Sequence, residues 1–255
     1  MAGELQGLRG LVVGVANEHS IAWGCARACH EAGAELALTW LNDKARPFVE
    51  PLAEQVGARL RLPLDVEQPG QLEAVFDAIQ REWGGLDFLV HSIAFAPRAD
   101  LQGRVVDSSA AGFARAMDVS CHSLLRMARL AEPLMTHGGS IVTMSYLGAE
   151  EVVANYGLMG PVKAALESSV RYLAAELGPR GISVNAVSPG PVATRAASGL
   201  PDFDELMARS RERAPLRRLV DIAEVGALCR HLVSPLGHAL TGNVLYVDAG
   251  LHILG

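Results

Sequence analysis

The sequence predicts a doubly wound α/β fold built on one seven-stranded parallel sheet. Short β-rich runs alternate with helical stretches along all 255 residues. The β-rich runs are apolar without strict alternation, which is typical of strands buried on both faces. Half of the residues are hydrophobic but only 5% are aromatic, so the core is expected to be mainly aliphatic and alanine-rich. Strands joined by helices in this order require right-handed crossovers that cover both faces of the sheet.

The predicted elements follow one another without a linker or repeat, so residues 1–255 are expected to form a single domain. The predicted strands lie near 11–16, 34–40, 59–64, 86–92, 139–145, 181–188 and 242–247. The predicted helices lie near 20–32, 45–56, 69–83, 109–135, 155–177 and 222–233. Ligands of such a sheet bind beyond the carboxyl ends of its strands, so the segments that follow the strands are the candidates for a functional site.

Charge and cysteine content narrow the function class and the compartment. The net charge of −6 does not favour a nucleic acid or an anionic membrane as partner. The apolar run 11–16 is too short for a signal peptide or a membrane span. The cysteines form no CxxC motif and no zinc-ligand spacing, so no metal is expected. We therefore expect a cytoplasmic protein with four buried free thiols, at Cys25, Cys29, Cys121 and Cys229.

The first strand is followed by a turn and a helix that are suited to a pyrophosphate. Gly14 permits a tight turn, and the following helix supplies free N–H groups and the positive end of its dipole near Ser20 and Ile21. Ala16 lies within the same turn. The glycine pattern typical of such turns is incomplete, since Glu18 and Ser20 stand at its second and third positions. A plain strand–turn–helix with Ser20 as N-cap also explains this segment.

The second strand ends without a basic residue in the turn, which favours NADH over NADPH. An arginine there would favour the 2′-phosphate of NADPH, and an acidic residue the ribose of NADH. The end itself carries Leu41, so adenosine would be held there by apolar contact. The charged residues Asp43, Lys44 and Arg46 come later, where ordinary helix starts carry charges.

The third and fourth strands end in residues that suit the rest of a dinucleotide. Asp65 is a candidate acceptor for the adenine amino group and Val66 for packing against its ring, although Asp65 also suits a helix cap. His91 lies within the fourth strand, which favours a structural role over a catalytic one. The small or apolar residues that would let a dinucleotide cross this edge are Ser92, Ile93 and Ala94.

The sixth strand leads into an irregular turn formed by Pro189, Gly190 and Pro191. The N–H group near Val192 is a candidate for binding a nicotinamide carboxamide, and Thr194 for binding a phosphate.

The segment after the fifth strand carries the candidate catalytic residues. A helix is expected to begin near Tyr156 and to carry Lys163 seven residues later, so that an exposed phenol and an ammonium lie on one helix face. An ammonium group there can hold ribose hydroxyls and stabilise charge that develops near a phenol. A helix that carries a tyrosine and a lysine by chance is the alternative.

The spacing of this pair gives the sequence a specific resemblance. With Tyr146 upstream, the Tyr156–x6–Lys163 pair resembles the enoyl-acyl-carrier-protein reductase branch of the short-chain dehydrogenase/reductases. Most of that superfamily uses Tyr–x3–Lys, and here the nearer position holds Gly160. Further segments that resemble the branch are 14–16, 20–24, 91–93, 145–150 and 196–199.

The resemblance implies a reaction and a role for each residue. NAD(P)H would reduce the C2=C3 bond of a trans-2-enoyl thioester, carried on acyl carrier protein or coenzyme A, in fatty-acid elongation. Tyr156 would hydrogen-bond the enolate, Lys163 would anchor the nicotinamide ribose, and Tyr146 would line the acyl pocket. The resemblance also implies a homotetramer and a loop near 193–209 that covers the substrate. The residues expected to contact the substrate are Ala96, Tyr146, Tyr156 and Ala196.

Two other functions remain open at this point. A carbonyl reductase that acts on 3-oxoacyl thioesters fits Ala94, Leu41 and the Pro189–Gly190 turn, where the sequence departs from the branch. The missing Tyr–x3–Lys pair argues against it. A dinucleotide-binding regulator without turnover is the third possibility, and the intact Tyr156 and Lys163 argue against that.

Overall fold

The computed structural model describes residues 3–194 and 202–254, and it contains the predicted seven-stranded sheet. All neighbouring strands are parallel, in the order β3-β2-β1-β4-β5-β6-β7. The chain reverses its direction of winding between β1 and β4, which opens a crevice at the carboxyl edge there. The strands are β1 Arg9–Val13, β2 Glu35–Trp40, β3 Leu60–Pro63, β4 Phe88–His91, β5 Gly139–Met144, β6 Ile182–Pro189 and β7 Val244–Val247.

Helices pack on both faces of the sheet, and each face has its own hydrophobic core. They are α1 Ile21–Glu31, α2 Arg46–Gln55, α3 Gln71–Trp83, α4 Arg98–Leu101, α5 Ala110–Met117, α6 Ser123–Ala131, α7 Met159–Leu177, α8 Phe203–Arg213 and α9 Ile222–Val233. Helices α3, α6 and α7 cover one face, while α1, α2 and α9 cover the other. The four cysteines are buried free thiols, as predicted. Among the described residues, no helix is long and apolar enough to cross a membrane.

The predicted fold is confirmed, but some boundaries differ. Strand β1 ends at Val13, three residues earlier than expected, because Gly14 takes a φ of +104° that turns the chain out of the sheet. The helix predicted over 109–135 is divided into α5 and α6 by a π-helical turn, Asp118–His122. That turn directs Ser120 towards the segment after β4, where its hydroxyl bonds both the N–H and the C=O of Phe95, at 2.8 and 2.9 Å.

Two expectations about helices were wrong. Helix α7 begins at Met159, so Tyr156 precedes the helix and does not share a helix face with Lys163. The reason is local, since Asn155 and Gly157 have φ values of +61° and +47° and cannot continue a right-handed helix. The predicted loop 193–209 contains the start of α8, in which Arg209 pairs with Glu205 one turn earlier. Residues 195–201 of that loop lie outside the described residues.

Candidate active site

Lys163 lies between α7 and the carboxyl end of β5. Its Nζ donates a hydrogen bond to the carbonyl oxygen of Met144 at 2.6 Å, and the residue is only 4% exposed. The ammonium is therefore buried, because α7 packs tightly on the strand end. Burial lowers the pKa of Lys163 to about 8, while Cys121 and Glu167 act in the opposite direction.

Tyr156 and Tyr146 form a tilted aromatic pair, and Tyr146 lies two residues after Met144, whose carbonyl Lys163 binds. Their ring centroids lie 4.7 Å apart with an interplanar angle of 56°. The Tyr156 ring also lies against Gly148, where a Cβ atom would stand 2.4 Å from its Cδ1. Burial raises the pKa of Tyr146 to about 12 and the pKa of Tyr156 further. Both phenols therefore stay protonated at neutral pH and can donate hydrogen bonds to a developing anion.

The backbone explains why position 160 holds glycine. A Cβ atom on Gly160 would lie 3.0 Å from the carbonyl oxygen of Gly148, the same residue on which Tyr156 packs. A longer side chain at this position would have to displace that turn. Lys163 is one of only two lysines in the sequence, and the other, Lys44, follows β2.

A buried hydrogen bond between Ser145 and Glu167 was not predicted from the sequence. The Ser145 hydroxyl donates to Oε1 of Glu167, which lies one turn after Lys163 on α7 and is 5% exposed. Burial raises the pKa of Glu167, while the Ser145 hydroxyl and Arg171 oppose that shift. The signal in the sequence was a glutamate among the buried positions of a helix, where a charged residue needs a partner.

The turn after β1 has the geometry of a pyrophosphate site. The N–H groups of Trp23 and Gly24 both donate to the Ser20 carbonyl, so the amides of Ile21 and Ala22 precede the first bonds of α1. Ser20 stands at the N-cap position, but its hydroxyl donates to the Asn17 carbonyl at 2.6 Å instead of capping the helix.

The residue that follows β2 is exposed. Leu41 is 54% exposed, as apolar contact with an adenosine would require. The nearby Arg46 guanidinium lies over the Trp40 ring, 5.4 Å from its centroid, and pairs with Glu50 through two 3.1 Å hydrogen bonds. The Arg46 guanidinium is therefore engaged by Glu50 of α2 and by Trp40 at the end of β2.

At the end of β3, Asp65 does not cap α3, which follows Gly70. Oδ1 of Asp65 accepts the N–H of Glu67 at 3.0 Å. Val66 is buried in the core beneath this turn.

The segments after β4 and β6 also lie at the carboxyl edge of the sheet. Ser92 and Ile93 are half-buried, and Ala94 is exposed. Ala96 packs with Tyr156 on a small apolar cluster formed by Ala116, Leu158, Met159 and Val162. After β6, Val192 packs on a separate cluster, and Thr194 follows with its N–H bonded to the Val192 carbonyl at 2.8 Å. Ala196 lies outside the described residues.

His91 has a structural position in the core, in agreement with the role that the sequence favoured. Its Nε2 lies 2.8 Å from Ser123 Oγ, and its Nδ1 lies 2.8 Å from Thr143 Oγ1. The Ser123 hydroxyl donates to the Val119 carbonyl, so it accepts from Nε2–H, and Nδ1 of the neutral ring can accept from the Thr143 hydroxyl. Burial lowers the pKa of His91 to about 3.

This buried imidazole predicts a loss of stability in mild acid. The unfolded chain binds a proton at His91 below about pH 6.5, while the folded chain stays neutral, so its contribution is present above that pH and is lost as the pH falls towards 3. We expect the free energy of unfolding to fall by about 2 kcal/mol between pH 7 and pH 5 from this group. Denaturant titrations of wild type and His91→Gln should show a flatter pH dependence in the variant. His137→Gln, at an exposed histidine, should leave the wild-type slope, and an unchanged slope in His91→Gln would contradict the assignment.

Comparisons with known proteins agree on one family. A family model described as enoyl-(acyl carrier protein) reductase matches residues 14–252. An enoyl-acyl-carrier-protein reductase (NADH) 1 of Rhizobium meliloti is 49% identical over 254 residues, which cover 100% of this chain and 93% of that relative. A reductase of the same name from Nostoc sp. is 48% identical over 254 residues and covers 98% of each chain.

Solved structures give the same result at the level of the fold. The reductase from Anaplasma phagocytophilum, solved in complex with NAD, superposes with a TM-score of 0.96 at 45% identity, covering 100% of this chain and 97% of that one. The Bacillus cereus reductase, solved with NADP+ and an indole naphthyridinone, has a TM-score of 0.96 at 46% identity and full coverage of both chains.

Proposed function

The chain belongs to the enoyl-(acyl carrier protein) reductase family, and on that premise we propose that it reduces the C2=C3 bond of trans-2-enoyl thioesters with NADH in fatty-acid synthesis. The observation that carries the proposal is the tilted Tyr146–Tyr156 pair together with the buried Lys163, which binds the carbonyl of Met144 two residues before Tyr146. Gly160 occupies the position of the lysine that a ketone-reducing relative would use. The arrangement therefore suits an enolate on a thioester better than an alkoxide on a ketone.

Each of the three residues has a separate task. When bound, NADH supplies the hydride for the β-carbon of the substrate. Tyr156 donates a hydrogen bond to the thioester oxygen, where negative charge appears as the enolate forms. Lys163 holds the ribose hydroxyls and adds a positive charge near that oxygen. Tyr146 packs on Tyr156 and lines the acyl pocket.

The carboxyl edge has features that fit a dinucleotide. Gly14 and the open first turn of α1 suit the pyrophosphate, and the exposed Leu41 suits the adenosine. NADH is favoured because Arg46, a basic residue near that end, is held by Glu50 and Trp40. We assign to the dinucleotide Gly14, Ala16, Ser20, Ile21, Leu41, Asp65, Val66, Ser92, Ile93, Ala94, Lys163, Val192 and Thr194.

The surroundings of the site support further parts of the proposal. The segment 193–209, with Ala196, would cover the acyl chain once substrate binds. The free thiols support a reducing cytoplasm. A homotetramer would bury the half-exposed edge strand β7 and the outer face of α7, where Tyr172 is 70% exposed. Light scattering would then give four times the 27.0 kDa chain mass.

One set of assays tests the reaction. Oxidation of NADH and of NADPH is followed with crotonyl, 2-octenoyl and acetoacetyl thioesters of acyl carrier protein and of coenzyme A. We expect turnover of the two enoyl substrates, with NADH preferred. Turnover of the acetoacetyl substrate alone would replace the proposal with a carbonyl reductase. Cofactor binding without turnover of any substrate would indicate a regulator.

Removal of the Tyr156 hydroxyl should affect the reaction more than cofactor binding. We expect Tyr156→Phe to lower kcat by about 10²- to 10³-fold, as loss of one donor to a developing oxyanion does. The affinity for NADH should stay within about twofold, since the ring still packs on Gly148 and Tyr146. Stopped-flow reduction and fluorescence titration with NADH measure the two quantities. Tyr172→Phe, which removes a phenol hydroxyl from the outer face of α7, is the control, provided that light scattering gives this variant the wild-type mass. Equal losses in kcat and affinity would contradict the role of Tyr156.

A further inference from the structure

Two hydrogen bonds join consecutive residues at the end of β5 to two positions of α7 that lie one helical turn apart. The carbonyl of Met144 accepts from Nζ of Lys163 at 2.6 Å. The hydroxyl of the next residue, Ser145, donates to the carboxylate of Glu167. Lys163 and Glu167 are four residues apart and share the buried face of α7. We call Ser145 and Glu167 together the Ser–Glu clamp.

We propose that the Ser–Glu clamp positions the catalytic residues on either side of it, Lys163 and Tyr146. This inference rests on the function proposed above and adds two positioning residues to it. Tyr146 directly follows Ser145, so a fixed Ser145 also fixes where the Tyr146 ring meets Tyr156. Lys163 precedes Glu167 by one turn, so a fixed Glu167 holds that turn of α7 against the strand end.

Both residues of the Ser–Glu clamp are buried. Ser145 is 4% and Glu167 5% exposed, so each polar group needs its partner within the protein. Without Glu167, the Ser145 hydroxyl would lose its acceptor and Lys163 a nearby carboxylate that favours its charged form. The other groups that act on Glu167 are Glu150 after β5 and Arg171 on α7. Tyr246 on β7 also interacts with Glu150 and Glu167.

The same strand offers a matched control at its other end. Ser140, near the start of β5, is also buried, and its hydroxyl forms a 2.9 Å hydrogen bond with Ser183 of β6. Ser140→Ala therefore removes a buried serine hydrogen bond from β5 at the amino edge, away from the site. It should lower the melting temperature without changing cofactor affinity.

The experiment compares Ser145→Ala, Glu167→Ala, Glu167→Gln and Ser140→Ala with wild type. The measurements are the NADH dissociation constant without substrate, kcat and KM with crotonyl thioester, and the melting temperature. We expect Ser145→Ala and Glu167→Ala each to weaken NADH binding about tenfold and to lower kcat, as loss of one buried hydrogen bond to a charged group allows. Glu167→Gln, which keeps an acceptor for Ser145, should stay within about threefold of wild type.

Coupling between the two residues is the second measurement. The double variant Ser145→Ala/Glu167→Ala should bind NADH about as well as either single variant, because the second change removes nothing more. The proposal is overturned if Ser145→Ala and Glu167→Ala change only the melting temperature, as Ser140→Ala does, or if their effects on NADH affinity multiply. If the wild-type protein binds NADH but reduces no enoyl thioester, the proposed function is refuted. The NADH affinities of the variants would still test the role of the Ser–Glu clamp.

Discussion

Lys163→Met is expected to weaken NADH binding and to stabilise the cofactor-free protein at the same time. A charge-assisted hydrogen bond contributes about 1.5–3 kcal/mol, so losing the ammonium should raise the NADH dissociation constant by about 10- to 150-fold. The loss in kcat/KM should be at least as large, because the positive charge near the enolate disappears as well. Fluorescence titration and steady-state kinetics measure the two effects.

The stabilisation follows from the buried charge. Burial lowers the pKa of Lys163 to about 8, so below that pH the folded protein carries an ammonium that would be better solvated in the unfolded chain. Methionine removes the cost of burying this charge but also loses the hydrogen bond to the Met144 carbonyl. We therefore expect the free energy of unfolding to rise by about 1–2 kcal/mol at pH 7. The gain should disappear as the pH rises from 8 towards 10.5, where the folded and unfolded lysine both become neutral.

The second lysine provides the comparison for both measurements. Lys44 is exposed after β2, and Lys44→Met should change neither the unfolding free energy by more than about 0.5 kcal/mol nor the NADH affinity by more than about threefold. Unchanged NADH binding by Lys163→Met would show that Lys163 does not anchor the cofactor. If Lys163→Met is less stable than wild type at pH 7, interactions within the folded protein offset the cost of burying the ammonium.

The fold was predictable because most strands are largely apolar runs, with β3 (Leu60–Pro63) the least apolar, and each connection carries a helical pattern. Those features depend on nearest neighbours in the sequence, and the structure confirms them in all seven strands. The division of the helix after β4 was not predictable in this way. The π-helical turn Asp118–His122 aligns Ser120 with the Phe95 backbone, and that alignment depends on how the helix packs against a distant segment.

The candidate site was predictable in its residues but not in its geometry. The spacing of Tyr156 and Lys163 drew attention to both, but the positive φ values at Asn155 and Gly157 place Tyr156 before α7. Residue types alone do not give the depth at which Lys163 is buried, because α7 also packs on β5 through Glu167 and Ser145. The ribose-binding role of Lys163 and the roles of the tyrosines stay predictions until the variants are measured.

Gly14→Ala is expected to destroy the cofactor site and to destabilise the fold. Gly14 has a φ of +104°, and a Cβ atom there would lie 2.0 Å from the carbonyl oxygen of Ser92. That oxygen belongs to backbone, so it cannot move aside as the end of a side chain would. The Ser92 N–H also donates to the Val13 carbonyl at 3.0 Å, so the β1 turn and the segment after β4 are joined at this point. Alanine must therefore displace both the turn after β1 and the segment after β4, which are proposed above to bind the dinucleotide.

A comparison with a second glycine variant separates the cost of backbone strain in Gly14→Ala from the cost of steric overlap. Gly57 has a φ of +57° with no atom within 4 Å of its Cβ position, so Gly57→Ala measures backbone strain and should cost about 1 kcal/mol. Gly14→Ala should cost at least about 3 kcal/mol in chemical denaturation, because overlap with backbone adds to the strain. Its NADH affinity should fall more than about 100-fold, whereas Gly57→Ala should bind NADH like wild type. If Gly14→Ala binds NADH with native affinity, the pyrophosphate does not lie at the β1 turn, and the dinucleotide must cross the sheet edge elsewhere.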